Sequence, residues 1–64
     1  MNLSDDDKQV VQAFAQCDMK ISGAARKLYM HRNTVVYHLE QAAKKTGLNP
    51  KRFYDLIQLV EMCQ

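Results

Sequence analysis

Residues 22–39 read SGAARKLYMHRNTVVYHL, two short helical patterns separated by only a few residues. The first holds a small-residue pair, Ala24 and Ala25, and the second opens on hydrogen-bonding and basic side chains. Two helices cross closely at a steep angle only where the side chains between them are small. A helix that presents Arg, Asn and Thr in its first turn is equipped to meet phosphates and base edges. The stretch therefore predicts a DNA-binding helix-turn-helix.

Working outward, the periodicity predicts four helices and no strands, a small all-α domain over residues 1–64 with the helix-turn-helix core at about 22–45. Ser4 is the expected N-cap of the first helix, with Asp5, Asp6 and Asp7 in the turn where the helix dipole favours anions. Asp7 is also placed to close a capping box. Val10 or Val11, Phe14 and Cys17 mark its buried stripe, and Cys17-Asp18 falls near its end. Ser22 is the expected N-cap of the second helix, whose inner face is Ala24, Ala25 and Leu28, with Arg26 and Lys27 outward. Tyr29 and Met30 make the turn, with Met30 plugging the corner of the core.

The third helix is expected from about Arg32 to Lys45, with His31 as its cap. Val35, Leu39 and Ala42 fall on its inner stripe. Asn33, Tyr37, Glu40 and Lys44 fall opposite, flanked by Thr34, His38 and Gln41. Gly47 suits the left-handed position that ends a helix. For the fourth helix, Asn49 is the expected N-cap and Pro50 the first helical residue. Leu48 and Phe53 would form a hydrophobic staple, and Phe53, Leu56, Ile57 and Val60 the buried stripe. Leu59 and Met62 then point away, either as isolated exposed apolar groups or as cover for a partner such as a second copy of the chain.

The charge distribution supports a polyanionic partner. Net charge is only +2, yet residues 1–18 balance to −3, residues 19–52 to +7 and residues 53–64 to −2. The surplus cations all sit on the segment that carries the helix-turn-helix pattern, where they can displace counterions from a duplex. No apolar run approaches the ~18 residues of a transmembrane helix. The start, MNLSDDDK, carries acids where a secretory signal carries Lys or Arg, so a cytoplasmic protein is expected. Cys17 and Cys63 stand at no metal-ligand spacing and read as reduced thiols.

Enzyme activity, a metal site and a cofactor are not expected, and no small-molecule ligand is evident. No nucleophile–base–orienter set is visible, and a chain this short has little room for a dehydrated pocket. His31 and His38 share a helix face but lie about 10 Å apart along its axis, too far to hold one metal ion. For DNA, the expected contact residues are Ser22, Arg26, Lys27, His31, Arg32, Asn33, Thr34, Val36, Tyr37, His38 and Lys44. Arg32 can pair with guanine and Asn33 with adenine, each two-pronged, while Thr34 suits a thymine methyl and Tyr37 a phosphate or base edge. Ordinary helix-start polarity is the plainer alternative for Arg32 and Asn33, and packing on a neighbouring helix is the plainer one for Tyr37.

The stretch LYMHRNTVVYHL, followed by Thr46-Gly47-Leu48, resembles the C-terminal helix-turn-helix of PucR-type bacterial transcription regulators. His31, Arg32, Asn33 and Thr34 match that family's signature, as do Val35, Tyr37, Leu39, Thr46 and Gly47. Fis-type domains are similar more loosely, through the Arg-x-Thr opening of the third helix. The resemblance implies sequence-specific binding of double-stranded DNA by a transcription regulator, the third helix lying in the major groove. A homodimer is expected, with helix four (Leu59, Met62) as a candidate contact. The family's usual Arg after the Tyr is His38 here, which implies weaker cationic contact and DNA affinity that rises on acidification. The larger sensory domains of such regulators are not in these 64 residues, as expected of an excised domain or of a small free-standing protein. A helical protein-interaction or dimerisation module with little DNA affinity is the competing reading.

Overall fold

The computed structural model describes residues 3–63, which form helices α1 (Asp5–Gln16), α2 (Ile21–Leu28), α3 (Arg32–Thr46) and α4 (Phe53–Met62). No strand occurs among the described residues, so the all-α, four-helix expectation holds. α1 is the hub. It packs against each of the other helices, α2 and α3 also pack on one another, and α4 leans on α1 alone.

Local chemistry explains most of the boundaries. Ser4 Oγ accepts the Asp7 N–H, and Asp7 Oδ2 accepts the Ser4 N–H, which completes the predicted capping box. α3 begins where expected, with His31 Nδ1 accepting the Asn33 N–H at 3.1 Å. It ends at Gly47, whose φ of 76° is reached by glycine without steric cost. The hydroxyl of Thr46 donates to the Ala42 carbonyl and accepts the Leu48 N–H, holding the chain as it leaves the helix. The Thr46-Gly47 pair thus builds the exit from α3.

Two helix starts differ from expectation. α2 begins at Ile21, one residue before the predicted cap, with Lys20 as N-cap and no side-chain hydrogen bond. The Lys20 carbonyl accepts the Ala24 N–H, and Ile21 packs on the core, so Ser22 is an exposed residue of the first turn. α4 begins at Phe53 rather than at Pro50. Asn49 does supply cap chemistry, its Oδ1 accepting the Lys51 N–H at 2.9 Å, but it closes a turn that precedes the helix. That turn is fastened by the Asn49 N–H donating to Asp55 Oδ2 and by the Arg52 N–H donating to the Asn49 carbonyl.

The core is built from Val10, Val11, Ala13 and Phe14 of α1, Ala24 and Ala25 of α2, Val35, Leu39 and Ala42 of α3, and Leu56 and Leu59 of α4, with Cys63 behind them. Each of the larger side chains contributes about 1.5–3 kcal/mol on leaving water. The inner stripe of α3 is the predicted one. That of α4 is so only in part: Leu56 is buried, Val60 packs on the core and Met62 is exposed as predicted, but Leu59, expected outward, is fully buried, while Phe53 and Ile57, expected inward, are 62% and 41% exposed. The Gln12 amide of α1 donates to the Cys63 carbonyl at 3.1 Å and ties the end of α4 to α1 in this orientation. Cys17 and Cys63 are both free thiols, and burial pushes the Cys63 thiol above its ordinary value. No helix among the described residues is long and apolar enough to cross a membrane.

Candidate nucleic-acid interface

The approach of α2 to its neighbours depends on small side chains. Ala24 and Ala25 are buried, and a Cβ added to Gly23 would lie 3.1 Å from Cys17 Cβ at the end of α1. A side chain at Gly23 would therefore be accommodated only if Cys17 gave way by a few tenths of an ångström. At the far end of α2, Tyr29 adopts a left-handed conformation, φ 56°, and the Met30 N–H donates to the Ala25 carbonyl. The chain turns there and enters α3 two residues later. Met30 packs against the core at this corner, as its position in the sequence suggests.

The turn delivers the first turn of α3 to the surface. His31, Arg32 and Asn33 are exposed, Thr34 is half-buried and Tyr37, one turn on, is 55% exposed. Lys44 is exposed further along, and Glu40 lies on the same outer face. From α2, Ser22, Arg26 and Lys27 are exposed as well. The N-terminal turn of α3 thus combines backbone N–H groups, the positive end of the helix dipole and two side chains able to make paired hydrogen bonds. Val36 is half-buried and lines a shallow cleft with Ile21, Leu39 and Pro50.

His38 corrects the sequence reading. Expected as a solvated flank, it turns toward α1, where its Nδ1 lies 2.7 Å from Asp7 Oδ1 with only 15% of its side chain exposed. A carboxylate only accepts, so Nδ1–H is the donor. Lys45 reaches the other oxygen of the same carboxylate, Nζ to Oδ2 at 2.6 Å. Asp7 is 1% exposed. Burial alone would raise its pKa, but Lys45, His38 and Ser4 together outweigh it and hold the group at about 2. The His38 ring also stands edge-on to Tyr37, with centroids 5.2 Å apart and planes at 75°. What faces the outer surface is Tyr37, and His38 sits behind it.

Sequence reasoning passed over two groups at this site. Asp7 was read only as a capping residue, although three acids in one helical turn left its long-range partners unsignalled. Tyr29 reads from sequence as part of the turn, standing where many helix-turn-helix proteins carry Gly, but not as a surface group, yet it is 97% exposed beside the entrance to α3. Its signal was available: a large non-glycine residue standing where a helix ends in the left-handed region.

The family model of the PucR C-terminal helix-turn-helix domain matches residues 8–63, from the first helix to the end of the fourth. No curated protein and no solved structure matches the chain. With that match spanning α1 to α4, the chain belongs to the PucR C-terminal helix-turn-helix family.

Proposed function

We propose that this domain binds double-stranded DNA with sequence preference, as the DNA-reading part of a bacterial transcription regulator. The observation that carries the reading is the exposed first turn of α3, where His31, Arg32, Asn33 and Tyr37 stand clear of the helix packing in a member of this family. In this reading α3 enters the major groove. Arg32 and Asn33 meet base edges, Thr34 and Tyr37 meet a thymine methyl, a base edge or a phosphate, and Ser22, Arg26, Lys27 and Lys44 meet the backbone. His31, whose Nδ1 is occupied by the Asn33 N–H, has Nε2 left for a phosphate. His38 positions Tyr37 rather than touching the duplex, and Val36 supports α3 from its half-buried place beside the cleft. Two copies on one duplex would read half-sites about one helical turn, ~34 Å, apart.

A salt titration against random duplex tests the electrostatic part, and selection from random duplexes tests the sequence preference. A steep linear fall of log affinity with log salt supports the reading. Absence of binding at low salt would instead favour a protein-interaction module. That second reading draws on one observation, the large apolar side chains that α4 leaves exposed.

A further inference from the structure

Three non-glycine residues hold a left-handed backbone among the described residues: Asp18, Met19 and Tyr29, at φ 58°, 61° and 56°. Each costs free energy that glycine would not. Asp18 is of a residue type whose short polar side chain tolerates the conformation. Met19 packs its side chain against the core. Tyr29 has neither account. Its side chain is large, and at 97% exposed it touches almost nothing of its own chain. Strain of this kind clusters at binding and active sites.

The surroundings of the ring say what it meets. Tyr29 is the C-cap of α2 and stands three residues before Arg32, the first residue of α3. Arg26 and Lys27 are exposed in the last turn of α2, and His31, Arg32 and Asn33 are exposed at the start of α3. No acid occurs between Asp18 and Glu40. A phenol is neutral, donates one hydrogen bond and carries an apolar ring. At a corner bordered by cations it suits a phosphate oxygen, with the ring laid on the adjoining sugar. An apolar protein partner would call for apolar neighbours, and those beside Tyr29 in the chain, Leu28 and Met30, are packed against the core.

We propose that Tyr29 is a backbone contact of the duplex: its O–H donates to a phosphate at the edge of the groove that α3 enters, and its ring lies on the neighbouring deoxyribose. This contact presupposes the DNA-binding reading and adds to that site a residue that is neither on α3 nor charged. Its signature follows from that neutrality. A cation on a phosphate releases a counterion and a phenol releases none, so Tyr29 adds affinity without steepening the salt dependence. A phosphate contact carries no sequence information, so it adds nothing to preference either. Lys27 steepens the salt dependence and Arg32 sets preference; Tyr29 does neither.

Two measurements on the 64-residue chain test it. The first is tyrosine nitration with tetranitromethane, mapped by peptide mass spectrometry, on the free chain and on the chain saturated with duplex at low salt. Duplex should protect Tyr29, while Tyr54, 78% exposed on α4, should react equally in both states. The second is the affinity of two variants for a selected and a scrambled duplex across a salt series. Tyr29→Phe removes only the O–H, and Tyr29→Gly removes the ring and relieves the backbone, so weaker binding is not the result of a damaged fold. Each should weaken both duplexes alike, by about three- to tenfold, with the salt slope unchanged. A chain that binds duplex while Tyr29 is nitrated as fast as in the free protein overturns the contact and leaves the DNA reading standing. A Tyr29→Phe protein that binds like the wild type does the same. A wild-type chain that binds no duplex at low salt removes both.

Discussion

His38 Nδ1 and Asp7 Oδ1 stand 2.7 Å apart, joining the second helix of the helix-turn-helix to the first turn of α1. Lys45, two turns further along α3, grips the other oxygen of the same carboxylate. Two points on one helix are thereby fixed to a single buried group, which sets both the tilt and the rotation of α3 relative to α1. The His38 ring in turn backs Tyr37. His38 is thus a brace between α1 and the exposed Tyr37.

Asp7→Asn should therefore destabilise the fold by about 2–4 kcal/mol near neutral pH, because it leaves Lys45 and His38 facing a neutral amide in a buried setting. The pH dependence has a definite sign. The folded carboxyl titrates at about 2 against an ordinary value of 3.8. The stability it supplies is complete above about pH 4 and is lost as pH falls toward about 2, amounting to about 2 kcal/mol. Denaturant unfolding of both proteins across that acid range checks this. The wild type should lose stability more steeply than Asp7→Asn, and parallel curves would contradict the argument.

Arg32→Ala should cost about 1–3 kcal/mol on the preferred duplex and relax preference at one base position. Lys27→Ala should instead weaken all sequences alike and reduce the salt slope by about one. Fluorescence anisotropy with the selected site and a scrambled one separates the two behaviours. An Arg32→Ala protein with unchanged affinity and unchanged preference would remove the base-reading role.

Tyr29 pays for its position with backbone strain. It holds a φ of 56° while its side chain is 97% exposed and so gains little from packing. Tyr29→Gly should stabilise the domain by about 0.5–1 kcal/mol, the relief of the left-handed conformation less the greater freedom of the unfolded chain. Thermal unfolding measures it. The ring adjoins the entrance to α3, so the same variant should bind duplex less tightly despite its higher stability. A destabilised variant would mean that the ring packs more than its exposure implies.

The legibility of this chain followed how one-sided each helix is. α3 has a narrow apolar stripe and a polar outer face, so Val35, Leu39 and Ala42 were readable as core, and Arg32, Asn33 and Tyr37 as surface. The caps at Ser4 and His31 and the exit at Gly47 were equally plain, being decided by neighbouring residues. What depends on contacts across the fold was not readable. Asp7 finds His38 and Lys45 more than thirty residues away, and no local pattern announces that pairing. Asn49 accepts from the N–H two residues on whether it opens a helix or closes a turn, so its chemistry was visible while the helix start was not.

α4 shows the same limit at its sharpest, and it supplies a direct check. Between Phe53 and Cys63 the apolar residues Phe53, Tyr54, Leu56, Ile57, Leu59, Val60, Met62 and Cys63 surround the helix, so periodicity alone fits more than one rotation. The sequence favours the rotation with Phe53, Leu56, Ile57 and Val60 inward. The observed one buries Leu56, Leu59 and Cys63 against α1. Truncating Leu59 should consequently cost about 2–5 kcal/mol, the range for a buried leucine that leaves a cavity. Ile57→Ala and Met62→Ala, both partly solvated, should each cost well under that. Urea unfolding of dilute, monomeric samples ranks the three, and a ranking with Ile57 first would restore the rotation that periodicity favoured.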